Sequence, residues 1–126
     1  MMPSQEPGVT SEKDFETFKE TFEGYKTLFG LNDYTTAFQH VDLLDSAAAI
    51  QPDVDARFAA VALCKEFPQQ MAGEHHIEDW ARHEAIHLLL ADFTAVLQDP
   101  ASTDELKARL EESLVIKLEY ILENYH

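Results

Sequence analysis

Two histidines four residues apart, with a glutamate directly after the first, are the strongest chemical signal in this chain: His83-Glu84-Ala85-Ile86-His87. On a helix of 3.6 residues per turn, positions four apart are offset by only about 40°, so both imidazoles leave one face. Two imidazoles so placed can share a metal ion. A carboxylate one residue round the turn can then handle the proton of a nearby water. The bland alternative is a pair of structural histidines, because His and Glu are both frequent here. Context favours the metal reading. Residues Glu74 to Asp99 contain no Gly or Pro, and Ile77, Trp80, Ala81, Leu88, Leu89, Leu90, Phe93, Val96 and Leu97 would bury such a helix.

An open catalytic zinc site usually has three protein ligands. Asp92 lies about 180° round the helix from His83 and points away. The metzincin pattern needs a histidine or aspartate ten residues after the first histidine, and that position is Phe93. The last helix offers better candidates. Leu106, Leu110, Leu114, Val115, Leu118, Ile121, Leu122 and Tyr125 fill an arc of roughly 180° on its wheel. Glu111 falls inside that arc, between Leu118 and Leu122. Glu112 falls about 60° beyond its edge, beside Glu105, Glu119 and Glu123. A buried carboxylate is costly unless paired or bound to a metal, so Glu111 is the preferred third ligand and Glu112 the alternative.

The elements that must position these residues follow in order. Residues 1–10 hold two prolines, a glycine and no periodic apolar pattern, and read as a disordered tail. A single domain over 11–126 follows. Ser11 and Asp14 form a capping box that opens a helix, and Gly30 is a natural stop. Phe15, Phe18, Phe22, Tyr25, Leu28 and Phe29 make one apolar stripe suited to core packing. Tyr34 to about Leu44 reads as a strand, Ala47 to Ile50 as a second short strand with a helical turn as the alternative, and Arg57 to Cys64 as a third with both faces apolar, its alanines leaving a helix as the competing reading. The motif helix runs from about Glu74 to Leu97, and Asp99-Pro100 stops it. Ser102 and Glu105 then cap a helix that runs to about Asn124. Helices segregated from a small antiparallel sheet of two or three strands make an α+β domain.

The formal net charge is −15, with 9 Lys and Arg against 24 Asp and Glu. Such a surface repels phosphates, so nucleic acid is not an expected partner. No apolar run is long enough to span a membrane, and residues 1–10 lack the features of a secretion signal. The single cysteine, Cys64, cannot form an internal disulfide, which fits a cytoplasmic location.

Ala81–Phe93 (ARHEAIHLLLADF) and Leu110–Leu122 (LEESLVIKLEYIL) resemble the small phage- and prophage-encoded metallopeptidases, a group similar in plan to minimal gluzincins. The order of leading helix, small sheet, motif helix and glutamate helix agrees, over about residues 12 to 123. The resemblance implies a minimal zincin-like domain, working in the host cytoplasm if phage-encoded. It implies zinc held by His83, His87 and a later glutamate, with Glu84 as general base on a peptide or protein substrate. That glutamate maps onto Glu111 or Glu112. Spacing to the small residue three further on, Val115, favours Glu112, whereas the helical wheel favours Glu111. Related enzymes often add a His or Tyr at the oxyanion, for which His75, His76, Tyr120 and Tyr125 are the candidates. A silent zinc-stabilised interaction protein and an acidic interaction module are the alternatives to a peptidase.

Overall fold

A capping box starts the first element, as its sequence requires. Ser11 Oγ accepts from the Asp14 N–H, and the Asp14 carboxylate accepts from the Ser11 N–H. The computed structural model describes residues 9–66 and 76–124, with the elements α1 (Glu12–Leu28), β1 (Thr35–Val41), β2 (Ala48–Asp53), β3 (Phe58–Cys64), α2 (Ile77–Gln98) and α3 (Asp104–Asn124). Gly30, at φ +73°, takes the left-handed conformation that ends the α1 segment. The aromatic stripe of α1 is core. Phe18 and Phe22 are fully buried, and Phe22 meets Phe38 of β1 edge to face at 5.6 Å. Lys26 at the end of α1 is buried, and its ammonium donates to the Tyr34 carbonyl at 3.0 Å and pairs with Glu23. The charge is thus satisfied while it ties α1 to the start of β1.

The fold is α+β with three helices and one three-stranded sheet, in strand order β1-β3-β2. The sheet is mixed, not antiparallel. β2 and β3 pair as an antiparallel hairpin, but β1 runs parallel to β3. Phe58–Cys64, apolar on both faces, takes the central position that best buries it, which leaves β1 and β2 as edges. Pro52 sits in β2, where an edge strand tolerates its missing N–H. Ala59, Val61 and Leu63 face the helices and form one core with Phe18, Phe22, Leu31, Tyr34, Ala81, Ala85 and Leu88.

Two boundaries and one burial pattern differ from expectation. Thr10, assigned to the tail, is 5% exposed. Its N–H donates to the Lys65 carbonyl, and its hydroxyl bonds the Cys64 carbonyl and His40 Nε2, both at 2.7 Å. Residues 1–8 lie outside the described residues. The cap of α3 is Thr103, whose hydroxyl accepts from the Leu106 N–H, in place of Ser102. α3 also buries none of its residues, although Leu114 and Ile121 touch the core. Among the described residues no helix is long and apolar enough to cross a membrane.

Candidate metal site and flanking clefts

The HExxH residues lie in the first half of α2, and burial sorts them by angle. Ala81, Ala85 and Leu88 face the core, while His83 and His87 are exposed. The two Nε2 atoms are 3.2 Å apart, with ring centroids 4.8 Å apart and planes at 77°. One ring N–H donating to the other ring would satisfy that distance. So would a shared cation, since ligands about 2.05 Å from a tetrahedral ion stand about 3.3 Å apart. The donor pair therefore fits zinc in both chemistry and spacing.

Glu84, about 100° round the helix from His83, is only 7% exposed and has no hydrogen bond or ion pair among the described residues. Burial raises its pKa above the usual carboxylate value, against a lowering influence from His83 and His87. It lines two clefts on either side of the histidines. The first, about 550 Å³, is walled by Ser46, Ala47, Ala48, Trp80 and Ile86, with Asp79 and Arg82 also lining it. The second, about 510 Å³, runs between Ile50, Pro52 and Val54 on one side and His87, Ala91, Thr94 and Ala95 on the other. Among the described residues, Glu84 and the two histidines are the only ionisable groups that line that second cleft.

β2 forms one wall of both clefts. It is the edge strand, and among the described residues it pairs only with β3. Consecutive residues of this strand, Ala48, Ala49 and Ile50, line the second cleft together with His83 and His87. A strand was legible near Ala47–Ile50, but nothing in the motif spacing says that it borders the histidines.

The sites expected on α3 are not brought to the histidines. Glu111 and Glu112 are both exposed, and among the described residues no three His, Cys, Asp or Glu side chains group as a metal site. α3 meets α2 on the side of Leu89, Asp92 and Phe93, roughly 180–280° round from His83. Only the Leu110–Leu114–Ile121 side of its apolar arc is covered, so Glu111 is not on a buried face after all. Asp92 does point away from the histidines. It accepts hydrogen bonds from the Tyr34 hydroxyl at 3.0 Å and from Arg57 Nη1 at 2.7 Å. Of the oxyanion candidates, His75 and Tyr125 lie outside the described residues. His76 is the N-cap of α2, 3.6 Å from Asp79, and Tyr120 is exposed on α3.

The Asp92 network was missed entirely from the sequence. Arg57 bridges Asp33 and Asp92 and lies over the Tyr34 ring at 4.0 Å. Burial, and then the Asp92 charge, push the Tyr34 hydroxyl up to about 12, so it stays a donor at neutral pH. Arg57 does this from φ +52°, in the turn between β2 and β3. No short-range pattern marks such a cluster, because its members come from three separate segments. No family model, curated protein or solved structure matches this chain.

Proposed function

We propose that the chain is a zinc-dependent peptidase in which His83 and His87 hold the metal and Glu84 acts as general base. The observation that carries this reading is the 3.2 Å separation of the two Nε2 atoms beside a largely buried glutamate that opens onto both clefts and has no ion-pair partner among the described residues. Zinc, when bound there, supplies a Lewis acid that polarises a carbonyl and makes water nucleophilic near neutral pH. Glu84 takes the proton of the attacking water and delivers it to the leaving amine, and its upward-shifted pKa suits that exchange. The free edge of β2 offers backbone donors and acceptors to an extended peptide, which would place a scissile bond over the histidines. The clefts on either side would take the flanking side chains.

The test is metal content and cleavage of an unstructured peptide pool. Wild type should hold stoichiometric zinc, and His83→Ala should lose it. Glu84→Gln should keep the metal while cleavage falls by at least about 100-fold. Glu111→Ala and Glu112→Ala should keep the metal, because both side chains are exposed on a helix docked away from the histidines. Cleavage retained by Glu84→Gln removes the base assignment, and a wild type that binds no zinc removes the reading altogether. A second reading, a zinc-stabilised binding protein, is favoured by the large apolar side chains exposed on α2 and α3. Zinc binding with no cleavage by wild type would select it.

A further inference from the structure

The apolar arc of α3 is split by its docking. Leu114 and Ile121 pack against the core cluster, whereas Val115, Leu118 and Leu122 stay 43%, 41% and 78% exposed. α2 has a matching stripe. Ile86, Leu90 and Leu97, at 41%, 36% and 50% exposure, lie within about 40° of one another on its wheel. They fall between the face that receives α3 and the face that carries His83 and His87. Residues 99–103 join the two helices as an antiparallel hairpin. The stripe on α2 lies about 90° clockwise from the contact, viewed from its N-terminus. For right-handed antiparallel helices, the Leu118–Leu122 stripe then opens on the same side. By this wheel geometry the six exposed side chains lie on one side of the helix pair.

Charge defines what this face can accept. Glu111 sits inside it, between Leu118 and Leu122, with no partner among the described residues. Glu105, Glu112, Glu119 and Glu123 cluster within about 40° along its far border on α3. Arg109 is committed to Glu105 at 3.3 Å, and Lys117 is turned towards α2. Lys107 borders the face only near the start of α3. A second copy of this chain would set glutamate against glutamate at a net charge of −15 per copy. Anionic membrane surfaces and nucleic acids would be repelled in the same way.

We propose that this α2–α3 face docks a cationic amphipathic helix of a partner protein. Its apolar side chains would lie on Ile86, Leu90, Leu97, Val115, Leu118 and Leu122. Its Lys or Arg residues would pair with Glu111 and with the Glu112–Glu119–Glu123 border. Such a helix would lie directly beside His83 and His87, so the face delivers its partner to the clefts. The proposal rests on the two helix faces alone and not on the metal reading.

The probe is a fluorescently labelled helical peptide built from Leu and Lys with leucines on one face, titrated with the full chain in EDTA and read by anisotropy. A scrambled peptide of the same composition and a Leu/Glu counterpart are the controls. The amphipathic Leu/Lys peptide should bind, and neither control should. Leu118→Asp and Leu122→Asp, both exposed and checked by circular dichroism, should each weaken binding by at least about tenfold. Glu111→Lys should weaken it several-fold and flatten its salt dependence. Equal binding of the scrambled peptide, unchanged binding by Leu122→Asp, or no binding by wild type would overturn the proposal. A concentration-dependent dimer in sedimentation that Leu122→Asp abolishes would overturn it in favour of a second copy.

Discussion

Glu84 is a largely buried residue with no hydrogen bond or ion pair among the described residues, and burial raises its pKa. The sign of the consequence is fixed by linkage. A carboxyl whose pKa is higher in the folded state binds protons more readily there, so its contribution becomes less favourable as pH rises above the ordinary value of 4.5. Metal-free Glu84→Gln should therefore be more stable than wild type at pH 7, with the difference vanishing below about pH 4. Urea unfolding in EDTA across that range checks this, and coincident midpoints at every pH would mean the carboxylate is well solvated. The placement of this residue beside the two histidines was legible in the sequence because it depends on local geometry alone. One helical turn places His83, Glu84 and His87 whatever the rest of the chain does. Glu111 was misread because a wheel gives the direction of a side chain but not the extent to which a neighbour covers that direction.

The elements were legible to the extent that their signals are local. The Ser11–Asp14 box, Gly30 and the Phe18–Phe22 stripe each act within a turn or two, and α1 begins and ends where they require. Sheet topology is not a local property. Strands at Thr35–Val41, Ala48–Asp53 and Phe58–Cys64 could be recognised, yet nothing in their composition says that β3 inserts between the other two. The cluster around Arg57 holds that arrangement to α2, because it joins the β2–β3 turn to Asp92 and to the start of β1. Arg57→Ala and Asp92→Ala should each cost about 1–2 kcal/mol, a magnitude set by half-exposed ion pairs that also carry hydrogen bonds. The double variant should cost less than the sum, which a denaturation cycle would measure. Strict additivity would show that the two side chains do not act together.

At the scale of the whole molecule, the charge of −15 is carried by only 126 residues. Self-repulsion of this kind is screened over about 10 Å at 0.1 M salt, so Tm should rise by several degrees between about 10 and 300 mM NaCl. A Tm that is flat in salt would mean the carboxylates are mutually compensated by local cations. Composition alone supports this expectation, in contrast to the position of α3, which depends on how one helix seats on another. The sole thiol provides a clock for the same molecule. Cys64 is fully buried at the end of the central strand, with its Sγ 2.9 Å from the Glu66 carbonyl oxygen and accepting from the Leu43 N–H. A soluble alkylating reagent can reach it only when the chain around β3 opens. Its modification rate therefore counts opening events of the sheet without any engineered label.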